Sequence, residues 1–159
     1  MKKTLTISLI CFLTLGFIEH SNGQNITNQQ KLKIEKQVDS IFHIMVKAAE
    51  NLDYDKISKG VDDRYNAGFI INGSYFTQYD SLINILKTKS QGGARQSITV
   101  QKEKITVLSD SVVLFTAFGY SKVDLSSGNS FTVKFFWSFV FEKINNNWKV
   151  IQSHQSSNR

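Results

Sequence analysis

The most constraining feature of the sequence is an alternation of apolar and polar residues that begins at Ser97 and continues almost to the C-terminus. It is clearest between Phe131 and Glu142, where every odd position is apolar and the even positions mix polar residues with Phe136 and Val140. A period of two predicts strands with one face buried. The predicted strands are Ile98–Leu108, Val112–Val123, Phe131–Ile144 and Trp148–Gln155. Because short connections rich in Ser, Asp, Asn and Gly join them, we predict that they run antiparallel.

The N-terminal half has the spacing of helices instead. Thr27 and Gln30 fit a capping box, and the apolar residues that follow recur at intervals of three and four as far as Leu52. Asp53 is expected to cap a short second helix, and Asn72-Gly73 predicts a tight turn after a short strand. A third helix is expected to begin with Thr77 or Asp80 as its cap and to bury four apolar residues, Leu82, Ile83, Ile85 and Leu86.

Helices followed by a strand meander place the chain in the α+β class. A sheet of such long strands can curl around the first helix and leave a cone-shaped interior. The chain has 159 residues, which predicts one domain.

The first 23 residues have the pattern of a signal peptide. Met1-Lys2-Lys3 is basic, the segment 4–18 is apolar, and the small residues Ser21 and Gly23 fit a cleavage site after Gly23. We therefore expect residues 1–23 to be removed and residues 24–159 to form one secreted or periplasmic domain of a bacterial protein. The only cysteine, Cys11, would leave with the signal peptide. No later span has the roughly 18 apolar residues that a membrane helix needs.

The positive charges do not form a nucleic-acid face. The 19 Lys and Arg residues exceed the 13 Asp and Glu residues, but they are nearly all Lys and are spread along the chain. A nucleic-acid surface is expected to cluster its charges and to use Arg for bidentate contacts. The pattern indicates a Lys-coated surface and no nucleic-acid partner.

A capped helix, a short Asp-led helix and a third helix opened by Tyr79-Asp80-Ser81-Leu82 come before the strand meander. The meander ends with the closing segment Asn147-Trp148-Lys149-Val150-Ile151-Gln152-Ser153-His154-Gln155-Ser156. This order resembles the nuclear transport factor 2-like superfamily, in particular its SnoaL-like branch. The resemblance covers residues 28–156. The chain departs from the family's closing motif at Gln152, where a first His would stand, and keeps the second as His154.

The resemblance implies a cystatin-like α+β cone whose curved antiparallel sheet wraps around the N-terminal helices, with a pocket at its wide mouth. It also implies a homodimer through the outer face of the sheet, where Phe136 and Val140 would lie. Family members include isomerases, dehydratases and polyketide cyclases as well as binding modules. In steroid-isomerase-like relatives the base lies on the short strand after the second helix, and the matching residues 69–72 contain no acid.

His154 is the candidate general base, since imidazole titrates near neutrality. Tyr hydroxyls in the cone wall could donate to a carbonyl or simply face water. Asp62-Asp63 fits a solvated turn better than a metal or acid–base pair, and His43 lies on the polar side of the first helix. No motif for a metal or a cofactor is present. The candidate ligand-binding residues are Tyr65, Tyr75, Thr116, Phe118, Tyr120, Phe135, Trp137, Phe139, Ser153, His154 and Gln155.

Three functions fit these features. The first is a secreted protein that binds a small hydrophobic molecule in the cone pocket. The second is an isomerase, dehydratase or cyclase with His154 as base. The third is a structural dimer whose pocket is filled by its own Phe and Trp side chains. The missing acid favours binding over catalysis.

Overall fold

The computed structural model describes residues 26–90 and 93–158. The predicted signal peptide and Cys11 lie outside these residues. The helices are α1 (Asn28–Glu50), α2 (Tyr54–Ser58) and α3 (Tyr79–Lys89), and the strands are β1 (Phe69–Ile71), β2 (Ser74–Phe76), β3 (Gly93–Val107), β4 (Val112–Leu125), β5 (Ser130–Ile144) and β6 (Asn147–Asn158). Within the described ranges, no helix is both long enough and apolar enough to cross a membrane.

The predicted start of α1 is confirmed. The backbone N–H of Gln30 donates to Thr27 Oγ1 at 3.2 Å, and the backbone N–H of Thr27 donates to Gln30 Oε1 at 2.9 Å. The helical spacing buries Ile34, Val38 and Phe42 along one side of the helix. Asp53 caps α2 as expected, since its Oδ1 accepts the backbone N–H of Lys56 at 3.0 Å.

The predicted cap of α3 is wrong. The N-cap residue is Gln78, and neither Thr77 nor Asp80 supplies the cap. The first N–H of the helix, on Tyr79, donates instead to Asp63 Oδ2 at 3.0 Å. Asp63 was expected in a solvated turn, and it caps α3 because the fold brings it to a helix end that lies 16 residues along the chain. Ile85, expected to be buried, is 37% exposed.

The strands form one six-stranded sheet in the order β2-β1-β6-β5-β4-β3. The antiparallel meander from β3 to β6 is confirmed, and so is the turn at Asn72 and Gly73, whose φ values of 47° and 82° suit a two-residue hairpin. The sheet is mixed rather than wholly antiparallel, because β1 runs parallel to β6. Parallel pairing is possible here since α3 and three long strands separate the two.

The curved sheet packs one face against α1, and we call this the inner face. Phe42 of α1 meets Phe115 of β4 with ring centroids 4.1 Å apart, and Phe115 in turn contacts Phe139 and Phe141 of β5. Between Val140 and Phe141 of β5 the register shifts, because β6 has one extra residue there, Ile151, which forms a β-bulge. The α+β cone expected from the sequence is therefore the observed architecture.

Candidate functional site

A cavity of about 280 Å³ lies between the helices and the inner face of the sheet. From the helices, Phe42, Met45, Val46 and Ala49 of α1 line one side, together with Tyr54 and Ile57 of α2. The inner-face residues of β4, β5 and β6 form the opposite wall. Ligand pockets commonly have volumes of about 300–1,000 Å³. The volume of this cavity is thus just below that range.

The centre of the wall is aromatic. Phe135 and Trp137 stack with ring centroids 3.9 Å apart and an interplanar angle of 17°. Gly119, opposite Phe135 in the register, makes room for this stack, because a Cβ atom there would lie 2.9 Å from Phe135 Cζ and would also clash with the carbonyl oxygen of Thr99. Phe135 is buried in this stack, at 1% exposed, so the half-buried Trp137 is the member that a flat apolar molecule can contact.

Uncharged polar groups surround the aromatic centre. The polar residues that line the cavity are Tyr54, Asn72, Tyr79, Gln96, Ser121, Ser153, Gln155, Ser156 and Ser157. Gln155 Nε2 donates to Ser153 Oγ at 3.4 Å. Burial raises the pKa of the Tyr79 hydroxyl well above its usual value, so it stays protonated at physiological pH.

None of the described residues that line the cavity is Asp, Glu, His, Lys or Arg. General acid–base catalysis needs a titratable group within about 3 Å of the reacting atoms. Among the described lining residues the titratable groups are the phenol hydroxyls of Tyr54 and Tyr79, so the lining offers apolar contact and neutral hydrogen bonds but no carboxylate, imidazole or amine.

The structure brings part of the predicted site together. Phe135, Trp137, Phe139, Ser153 and Gln155 all line the cavity. These residues alternate along β5 and β6, and direct pairing of Trp137 with Gln155 and of Phe139 with Ser153 places them on one face.

The expectation that the even residues of β4 point into the same interior is wrong. Thr116 and Phe118 lie on the outer face of the sheet, in a groove with Phe136 and Ser138. The physical reason is register: Gly119 pairs with Phe135 and Ala117 with Trp137, so the odd residues of β4 share the inner face. Tyr120, which is 39% exposed, has the outer-face parity of its neighbours.

His154 also lies in the outer-face groove and is exposed. It is the direct partner of Ser138, and both are even neighbours of cavity residues. The candidate base is thus separated from the cavity by the sheet itself, because successive side chains of a strand point to opposite faces.

Tyr65 and Tyr75 are both exposed and do not line the cavity. The hydroxyl of Tyr65 donates to Glu142 Oε1 at 3.1 Å. The ring of Tyr75 lies against Gly68, whose φ of 94° and missing Cβ allow the close approach.

One group in the described ranges could hold a metal ion. Asp39 and His43 of α1 and Glu103 of β3 offer ligand atoms that lie within 4.8 Å of one another. Desolvation and the neighbouring Asp39 carboxyl raise the pKa of Glu103. The group lies outside the cavity.

Asp62, the other acidic candidate, forms an ion pair with Arg64, whose Nη2 donates to Asp62 Oδ2 at 2.7 Å. This contact lowers the pKa of Asp62.

Sequence reasoning missed Tyr54, Tyr79, Gln96 and Ser121 as cavity residues. For Ser121 the signal was present, because it has the same parity as Phe115 along β4. For Tyr54 and Tyr79 no local signal existed: each is the first residue of a helix, and only the packing of α2 and α3 against the sheet brings it to the cavity.

The helices, the curved sheet and the cavity between them define an α+β cone protein. The model of the SnoaL-like domain matches residues 38–158, so the chain belongs to the SnoaL-like family. No curated protein matches the chain.

Several solved structures share the fold. A nuclear transport factor 2-like superfamily protein from Salmonella enterica is 11% identical, with 81% of this chain and 94% of that chain covered and a TM-score of 0.72. A proposed scytalone dehydratase from Novosphingobium aromaticivorans is 7% identical, with 84% and 89% covered and a TM-score of 0.75. A hexachlorocyclohexane dehydrochlorinase, LinA-type3 from Novosphingobium barchaimii, is 12% identical, with 84% and 92% covered and a TM-score of 0.68. At these identities the similarity concerns the fold.

Proposed function

We propose that this chain is a secreted binding protein that holds a small, uncharged, largely apolar molecule in the inner-face cavity without transforming it. The observation that carries the proposal is the lining, which combines an aromatic stack with neutral hydrogen-bonding groups and has no Asp, Glu, His, Lys or Arg among its described residues. Burial of apolar ligand surface contributes about 25 cal/mol per Å² to binding.

The position of His154 removes the main support for the enzymatic alternative. A base on the outer face cannot reach a molecule that lies against Phe135 and Trp137. The dehydratase and the dehydrochlorinase share the fold with this chain at 7% and 12% identity. Their activities are therefore no evidence for a catalytic group in this cavity.

The binding proposal is tested with N-phenyl-1-naphthylamine, a neutral apolar fluorophore whose emission rises in a dry site. We expect the wild-type protein to bind it and Ala49→Phe, which fills the cavity, to weaken binding about tenfold, or about 1.4 kcal/mol. Ile44→Phe is the matched control, because Ile44 lies on the same helix and is 50% exposed. Val133→Phe repeats the test from the sheet side if Ala49→Phe proves unstable. Equal binding by all four proteins would contradict the proposal.

A second proposal concerns the outer face. Phe136 is 45% exposed there, its ring stacks on Phe118 at 6.2 Å, and Lys134 Nζ lies 5.1 Å from the Phe136 ring centroid. We propose that this patch, with Val140, is the interface of a homodimer, because burying it removes apolar surface from water. The third function expected from the sequence combined such a dimer with a filled pocket, and the cavity of about 280 Å³ on the other face contradicts the filled pocket but not the dimer.

Sedimentation velocity tests the dimer. The wild-type protein should sediment as a dimer and Phe136→Lys as a monomer, while Ile44→Lys, on exposed α1 surface, should remain dimeric. A wild-type monomer at high concentration would rule out this interface.

Secretion has its own test. N-terminal sequencing of the exported protein should begin at Gln24 if residues 1–23 are the signal peptide. A protein recovered inside the cell with Met1 intact would contradict it.

A further inference from the structure

A cluster of three metal-ligating side chains lies between α1 and β3, away from the inner-face cavity. Asp39 and His43 of α1 and Glu103 of β3 each place one ligand atom within 4.8 Å of the other two. None of the three residues lines the cavity. The cluster combines an imidazole nitrogen with two carboxylate oxygens, and these are donors with which proteins bind zinc.

The helix brings two of the ligand atoms together. Asp39 and His43 are four residues apart, so they lie on one side of α1. Nδ1 of His43 is 3.3 Å from Asp39 Oδ1 and 3.0 Å from the main-chain oxygen of Asp39. Two ligand atoms of a tetrahedral zinc ion, each about 2.0–2.1 Å from the metal, are about 3.3 Å apart. The carboxylate and the imidazole therefore have the separation that a shared metal ion requires.

A β-bulge turns the third ligand toward the helix. The register shifts between Val100 and Lys102 of β3, because Gln101 is an extra residue on that strand. Beyond the bulge, Glu103 pairs with Ala117, which is on the inner face. With unbroken alternation Lys102 would have this position, since a shift of one residue exchanges the two faces. The bulge thus places an acid, instead of a lysine, on the face that packs against α1.

The two carboxylates have no Lys or Arg partner among the side chains that the structure describes. Asp39 forms its ion pair with His43, and the described ion pairs do not include Glu103. Lys102 and Lys104, on either side of Glu103 in the chain, pair with outer-face residues of β4. A divalent cation held between the carboxylates would remove their mutual repulsion.

We propose that Asp39, His43 and Glu103 form a binding site for a divalent transition-metal ion of the zinc class. Three protein ligands leave one tetrahedral position for water or another small ligand. The imidazole favours zinc over Mg²⁺ and Ca²⁺, which prefer oxygen ligands. Because two ligands come from α1 and one from β3, the bound ion links the helix to the edge strand of the sheet.

The test is isothermal titration calorimetry of the untagged chain with zinc chloride, after treatment with EDTA and dialysis. We expect one zinc ion to bind per chain. Mg²⁺ and Ca²⁺ should bind at least about tenfold more weakly, which corresponds to about 1.4 kcal/mol. Zinc should also raise the midpoint of thermal unfolding, because the ion binds the folded chain through two elements that separate on unfolding.

Variants then locate the ligands. His43→Ala and Glu103→Gln each remove one ligand, and each should weaken zinc binding about tenfold. Asp39→Asn takes the place of Glu103→Gln if that variant fails to fold. The matched controls are His154→Ala, which removes an exposed imidazole from the outer-face groove, and Asp110→Asn, which removes an exposed carboxylate after β3. Both controls should bind zinc as the wild type does.

Three results would overturn the metal site. The first is zinc binding no tighter than Mg²⁺ binding. The second is zinc binding that neither carboxylate variant weakens, because a single surface imidazole would then account for it. The third is zinc binding that is lost in His154→Ala, which would place the ion on the outer face. None of these results bears on the binding of N-phenyl-1-naphthylamine in the cavity, so the proposed function would stand or fall separately.

Discussion

Trp137 and Gln155 are direct partners in the register of β5 and β6, so an indole and a carboxamide lie side by side on the inner face. The pair joins the apolar and polar parts of the cavity wall. A molecule that stacks against Trp137 therefore lies beside a group that can both donate and accept a hydrogen bond.

Trp137 should report binding by its fluorescence. Addition of N-phenyl-1-naphthylamine to the wild-type protein should quench part of the tryptophan emission, and Trp137→Phe should abolish that part, because Trp137 lines the cavity. The control is Trp148→Phe, since Trp148 does not line this cavity and its indole N–H donates to Gln37 Oε1 at 3.1 Å. Quenching that survives in Trp137→Phe and disappears in Trp148→Phe would place the ligand elsewhere.

His154→Ala should leave the affinity of the cavity for N-phenyl-1-naphthylamine unchanged within about twofold. The imidazole is on the other side of the sheet, and sites without shared contacts act nearly additively. The measurement is calorimetry with both proteins under the same conditions. A tenfold weaker affinity in His154→Ala would show that the ligand reaches the outer-face groove.

Asp63→Ala should lower the free energy of unfolding by about 0.5–2 kcal/mol, the usual effect of removing a helix cap. Asp63 Oδ2 accepts the N–H of Tyr79, so the substitution leaves the first N–H of α3 without this partner. Asp80→Ala is the control, because Asp80 lies in the first turn of the same helix but provides no cap. Urea unfolding of the wild type and the two variants measures the free energy of unfolding, and equal losses of stability in both variants would contradict the capping role.

Glu50 should make the stability depend on pH. Its Oε1 accepts the backbone N–H of Ile98 at 2.9 Å, and this bond, with Lys47 nearby, lowers the pKa of the carboxyl in the folded protein. A carboxyl with a lowered folded-state pKa contributes stability above its unfolded pKa, and the contribution is lost as the pH falls through the folded-state value. Glu50→Gln should therefore be less stable than the wild type at pH 7, and the difference should vanish in strong acid.

Thermal unfolding of both proteins between pH 7 and pH 2 checks this dependence. A stability difference that stays constant over the whole range would show that packing, rather than charge, holds Glu50 against β3.

Much of the fold was predictable because its determinants are local. The capping box of Thr27 and Gln30, the cap at Asp53 and the turn at Asn72-Gly73 depend on residues a few positions apart, and all are observed. The cap of α3 was not predictable, because its acceptor, Asp63, is distant in sequence and no neighbouring residue marks it.

The sequence by itself determined the order of helices and strands, the buried parity of β5 and membership of the family, because hydrophobic periodicity and a closing motif are properties of neighbouring residues. Only the tertiary structure decided which residues form the cavity. Parity within one strand does not reveal the register to the next, and a shift of one residue exchanges the two faces. The observed register places Ser121 and Gln155 on the inner face of the sheet. It places Phe118 and His154 on the outer face.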